Sequence, residues 1–193
     1  MLERMLPKGV GDVQSGIYAS AYRLLDATNM IAFLFAGLLL PIFAKMIKHK
    51  DSVENMVKLS YTLLITIAIT VAVGSVFYSR HLMEMLYPIH SGESFDVFDA
   101  RMIQSQIIFS FLMSCFVAIS TTYIFGSLLT ANGNLKALNL IAGGGMLINI
   151  ILNLILIPHF KAMGSAAVSL FTQFITALAQ IIYAQYQFKF KAN

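Results

Sequence analysis

The order of apolar and polar residues divides the chain into five long apolar blocks joined by short polar connections. The first, at about 16–46, reads GIYASAYRLLDATNMIAFLFAGLLLPIFAKM; the others fall at about 57–78, 102–130, 138–158 and 162–187. A hydrocarbon core of about 30 Å takes roughly 20 helical residues to cross, so each block is long enough. The second, third and fifth are rich in Ile, Val and Thr, which taken alone suit strands. Length decides against strands, because a barrel strand needs only about 10 residues and alternates in polarity. The pattern predicts an all-α fold, a polytopic membrane helix bundle with about five transmembrane helices over 16–193. Residues 1–15 are read as an extracytoplasmic loop and 79–101 as the longest connection.

Composition sharpens the class. The chain is 58% hydrophobic and 11% charged, whereas a soluble domain carries about 25% charged residues. With no Trp, any aromatic belt falls to Tyr and Phe. Cys115 is the single cysteine, which excludes a disulfide framework. The net charge of +4 is no nucleic-acid signature, because the basic residues sit at the ends of apolar blocks. The opening MLERMLPKGVGDV mixes acidic and basic residues ahead of the first block and does not read as a signal peptide.

Five crossings put alternate connections on opposite sides. One side then holds Lys45, Lys48, Lys50, Lys58, Lys136, Lys189 and Lys191; the other holds Arg4, Lys8, Arg80, Arg101 and Lys161, with most of the carboxylates. The Lys/Arg bias favours the first side as cytoplasmic. The expectation is a multi-pass protein of the bacterial inner membrane, with its C-terminus in the cytoplasm. A chain that starts outside with no preceding span also suggests that something upstream is missing.

Inside the first block, Arg23 and Asp26 are three residues apart on one helix face and can pair. Tyr22 and Asn29 fall on the same arc. A polar arc on a spanning helix faces a bundle interior or a water-filled cavity. The competing reading is an anchor. Counting about 20 residues back from Lys45 puts the outer hydrocarbon edge near Asp26, where Arg23 snorkels at little cost. Asp26 is the only carboxylate inside an apolar block, so it is the first candidate for ion coupling and otherwise the partner of Arg23, the reading preferred here. Asn149 and Asn153 lie one turn apart and read as helix–helix contacts, with substrate contact as the alternative. Gln104, Ser110, Ser114, Thr121 and Thr122 dot the third block as contacts or cavity wall. Gly143, Gly144 and Gly145 allow close packing or bending. Pro41 removes a backbone bond and predicts a kink, a possible hinge in the first span. No nucleophile triad, phosphate loop or metal-ligand spacing is present, the histidines included. Nothing points to an enzyme, a cofactor or a metal.

The ordered motifs resemble a known family. Gly16-Ile17-Tyr18, Ala21-Tyr22-Arg23 and Leu40-Pro41 are followed by Gly126-Ser127-Leu128-Leu129, Ala131-Asn132-Gly133-Asn134 and Lys136. Asn149, Asn153, Leu156-Ile157-Pro158 and Gly164-Ser165-Ala166-Ala167 come next. This series resembles the second half of bacterial O-antigen-type polysaccharide flippases, in the multidrug/oligosaccharidyl-lipid/polysaccharide exporter superfamily, over essentially the whole chain. The resemblance implies part of the second lobe of a two-lobed helical fold around a central cavity. It implies alternating-access transport of a lipid-linked, polyprenyl-diphosphate oligosaccharide, with membrane lipid and a missing N-terminal half as further partners. Arg23 matches an arginine that lines a cationic cavity in related flippases, which tips Arg23 toward the lumen. Such proteins have about 12 to 14 spans, so the resemblance implies a C-terminal portion. A cation-coupled multidrug antiporter of the same superfamily and a non-transporting membrane subunit are the alternatives.

Overall fold

The computed structural model describes residues 1–190, so Lys191, counted above on the cytoplasmic side, lies outside the described residues. A short α1 (Leu2–Met5) precedes four long helices: α2 (Val10–His49), α3 (Glu54–Leu86), α4 (Phe95–Ala131) and α5 (Leu135–Phe188). Each long helix is apolar and long enough to cross a membrane. α5 crosses twice, because it breaks at Lys161, whose φ of 52° and ψ of −134° are not helical. Residues at nearly equal separations on either side of Lys161 meet. Asn149 Nδ2 donates to Thr172 Oγ1 at 3.0 Å, and a Cβ on Gly145 would lie 2.6 Å from Thr176 Oγ1. The arms 135–160 and 162–188 therefore form an antiparallel hairpin, and the bundle has five crossings.

α4 is the centre of the bundle and packs against α2, α3 and α5. It has no polar face, and Ile108, Leu112, Phe116, Ile124, Leu128 and Leu129 are fully buried around it. A helix that is apolar all round belongs in an interior. Its neighbours offer narrow stripes. α2 buries Gln14, Ile17, Ala21, Leu25, Ala32, Ala36, Leu39 and Phe43. α3 buries Val57, Ser60, Leu64, Ala68, Ala72, Ser75, Ser79 and Met83. Both stripes advance by threes and fours and are rich in small residues, which let helix backbones approach closely within a membrane. α2 runs parallel to α4 in constant register: Gln14 meets Gln104, Phe33 meets Tyr123, and Ser127 Oγ reaches the Ala36 carbonyl. The outward faces carry Phe33, Leu34 and Leu38 on α2, Leu63 and Phe77 on α3, and Leu140 and Leu147 on α5. In water such a surface is a liability; against hydrocarbon it carries no cost.

The helices are longer than the apolar blocks. α2 starts at Val10, inside the expected loop, and the 79–101 connection is mostly helix, leaving 87–94 between α3 and α4. Hydropathy marks where hydrocarbon ends, and a helix runs past that edge when its exposed turns are satisfied. Here Arg80 bonds Glu84 and Asp99, each at 2.7 Å, tying the projecting ends of α3 and α4. Ser94 caps α4 by accepting from the Val97 amide. At the opposite end Asn132, Gly133 and Asn134 form the expected turn, and Asn134 donates to Tyr183 at 3.3 Å. α2 runs as one helix through Pro41, and the chain reverses at Lys161, three residues after Pro158.

Candidate functional site

Three parallel segments meet at one end of the bundle: the start of α2, the start of α4 and the start of the second α5 arm. Gln14 joins them. Its Nε2 donates to Gln104 Oε1 at 2.9 Å, and its Oε1 accepts from the Ala162 amide at 3.2 Å. A helix start leaves backbone N–H groups without internal partners. Ala162 is fully buried just after the break, so Gln14 supplies from another helix the cap that Lys161 does not. Gln104, expected as a contact or cavity residue, is the second partner of that clip. Gln14 was missed because it sits ahead of the apolar block. Carrying the stripe Ile17, Ala21, Leu25 back by three residues finds it.

Arg23 and Asp26 are both exposed, and no ion pair joins them. The expected pairing is corrected by side-chain direction. Helical side chains lean toward the helix N-terminus, so Arg23 leans away from Asp26; acid-before-base is the favourable order. Arg23 instead lines a groove of about 360 Å³ with Gly16, Ala19 and Ser20 on its own helix, Tyr87 and His90 on the α3–α4 connection, and Arg101 and Ser105 on α4. Tyr87 closes the floor by donating to the Ser20 carbonyl at 3.3 Å. Tyr22, half-exposed, stacks on Tyr18 with ring centroids 6.0 Å apart. Asn29 faces inward, its Oδ1 buried without a hydrogen-bond partner.

Arg101 and Glu93 were not singled out as site residues from sequence. Arg101 Nε donates to Glu93 Oε1 and its Nη2 to Glu93 Oε2, both at 2.9 Å. Nη2 also reaches the Pro88 carbonyl and His90 Nδ1, and the guanidinium lies 5.3 Å from the Phe98 ring centre. Bonding by Arg101, and then by the His90 amide, holds the Glu93 carboxyl down to about 2 from the ordinary 4.5. A carboxyl lowered on folding adds stability that is complete above its unfolded value and is lost as pH falls through its folded one. Hydrogen-exchange protection of the 89–93 amides, corrected for intrinsic rate, should therefore hold at about pH 5 and fall between there and about pH 2. Glu93→Gln should remove that step; a step that survives in the variant contradicts the assignment.

Asn149 and Asn153 sit on the first α5 arm. Besides the bond to Thr172, Asn153 Nδ2 donates to Asn149 O and Oδ1, each at 2.9 Å. Both also line a cavity of about 460 Å³ with Glu3, Arg4, Tyr18 and Ser169, and Asn153 Oδ1 is buried without a partner. They tie the hairpin and line a polar space at once. Among the described residues no cluster of His, Cys, Asp and Glu is arranged to hold a metal. The site as built offers an unpaired guanidinium and a clamped one in a single groove, chemistry suited to anions. Comparison with known proteins finds no family model that matches the chain and no curated protein that matches it.

Proposed function

We propose that this chain is the membrane bundle of a transporter for lipid-linked oligosaccharides, a polysaccharide flippase working by alternating access in a bacterial inner membrane. The observation that carries the reading is Arg23. It is a guanidinium on a spanning helix, with no acceptor among the described residues, lining a groove shared with a second arginine. Charged groups on spanning helices are costly and mark substrate pathways. A guanidinium binds phosphate oxygens in two places, which suits a diphosphate-linked substrate. The ordered motifs described above support the same reading.

The test is restoration of surface polysaccharide in a bacterium lacking its own flippase, by the gene that carries these residues. Arg23→Ala should cut export at least tenfold at equal protein level. Normal export by Arg23→Ala rejects the cationic site, and no export by the parent rejects the function. A second reading rests on Asp26, which is exposed and has no ion-pair partner among the described residues: a cation-coupled drug antiporter. Resistance to cationic drugs that Asp26→Asn abolishes would favour it.

A further inference from the structure

A four-residue helix stands over a polar cavity that shares no residue with the groove of Arg23. Asn149 and Asn153 on the first α5 arm, Ser165 and Ser169 on the second, and Ser15 and Tyr18 on α2 line a space of about 460 Å³. These six side chains offer amides and hydroxyls and no charge. Residues 1–4, which include most of α1, form the remaining wall and bring Glu3 and Arg4 to it. One water takes about 30 Å³ in the liquid, so the space suits several waters or a small polar solute.

The joint between α1 and α2 is built to bend. Leu6 is extended, as suits the residue before a proline, and Gly9 has a φ of 86°. Glycine changes the sign of φ at no steric cost, and a Cβ on Gly9 would meet nothing within 4 Å. A few such positions are enough for a hinge. The seat, in turn, is built for close approach. A Cβ on Gly11 would lie 2.9 Å from Glu3 Cα, 3.1 Å from the Glu3 carbonyl oxygen and 3.3 Å from the Leu2 carbonyl oxygen, so α1 rests on bare backbone of α2. The hold is slight. Leu2 is buried, and Ser15 Oγ donates to Glu3 Oε1 at 3.1 Å. Among the described residues no ion pair ties α1 to the bundle.

We propose that α1 is a hinged cover, turning on residues 6–9, that controls the entry of water and small polar solutes to the cavity of the α5 hairpin. Seated, it closes the space with Leu2 and Glu3 against Gly11 and Ser15. Lifted, it exposes a wall of amides and hydroxyls while α2 and α5 stay in place, because the clip from Gln14 to Gln104 and Ala162 includes no residue of α1. The cover stands whether or not the bundle is a flippase, since none of its residues lines the groove of Arg23.

The experiment measures thiol accessibility in the 193-residue chain in phosphatidylcholine nanodiscs. With Cys115→Ala as background, Ser165→Cys places one thiol in the cavity wall, and a small sulfonated methanethiosulfonate is the reagent. Labelling should be at least tenfold slower than at Lys8→Cys, an exposed position outside the cavity. Gly11→Ala, whose methyl group unseats α1, should speed labelling at Ser165→Cys at least tenfold. Leu2→Ala, which loosens the buried anchor, should speed it about threefold or more. Gly16→Ala, on the same helix with nothing within 4 Å of its Cβ, should label as the parent does. Parent labelling as fast as that of Lys8→Cys overturns the proposal, as does Gly11→Ala that labels no faster than the parent. Hydrogen exchange separates lifting from unfolding. In Gly11→Ala the amides at 4–6 should lose protection while those at 165–169 keep it. Loss at both also overturns the proposal, because α1 would then be part of what holds the bundle and not a cover.

Discussion

Gly164→Ala is expected to lower the melting temperature by roughly 5 °C, whereas Gly143→Ala and Gly144→Ala leave it unchanged or raise it. A Cβ at Gly164 would lie 2.9 Å from the Leu156 carbonyl oxygen, 3.2 Å from its carbon and 3.0 Å from Phe160 Cβ. Two of those atoms are backbone in the opposite arm of the hairpin and cannot rotate away. Overpacking of this kind costs about 3 kcal/mol. Ala recovers about 1 kcal/mol of helix propensity over Gly. The net loss of about 2 kcal/mol corresponds to roughly 5 °C for a chain of this size. Gly143 and Gly144 meet nothing within 4 Å, so only the propensity gain applies to them. Cys115, the single cysteine and buried in α4, supplies the reporter. A thiol-reactive dye labels it only as the bundle opens. Equal melting of all three variants would contradict the close approach of the hairpin arms.

The three adjacent glycines show how far sequence reaches in this chain. Their spacing signals close packing, yet Gly145 alone meets a neighbouring helix, at Thr176. Which face of a glycine run turns inward depends on the partner helix, and that partner is set by the break at Lys161. The gap between the fourth and fifth apolar blocks marks the region of the break, but not the residue at which the chain turns. Lys161 is an ordinary polar residue in a positive-φ conformation, and Pro41, the residue that attracts a kink prediction, sits inside a continuous helix. The five crossings and the all-α class were legible because hydrocarbon imposes length and polarity directly on each segment. The central place of α4 was legible in principle, since it alone lacks a polar face.

The site was less legible, for two physical reasons. Spacing places Arg23 and Asp26 on one face but is silent on lean, and lean sends Arg23 toward Ser20 and the groove. Tertiary partners such as Gln14, Glu93 and Arg101 lie beyond the apolar blocks, Gln14 and Arg101 on helical turns that project past hydrocarbon and Glu93 in the connection between α3 and α4, where hydropathy carries no structural information.

Gln14→Leu is the other substitution with a large expected effect, about 2 kcal/mol of lost stability. It removes the acceptor of the Ala162 amide, which is fully buried, and a buried donor left without a partner costs roughly 1–3 kcal/mol. It also strands Gln104 Oε1. Gln104→Leu removes one interhelical bond only, and such bonds within membranes are worth about 0.6 kcal/mol on average. The two substitutions touch one network and should not add. Once Gln14 is gone, Gln104 has no partner to lose, so the double variant should melt close to Gln14→Leu alone. Hydrogen exchange gives the local reading. Amides at 162–165 should exchange faster in Gln14→Leu and stay protected in Gln104→Leu, because only the first uncaps the second α5 arm. Equal exchange in both variants would mean that the arm is capped by something other than Gln14, and the three-way clip would lose its structural role.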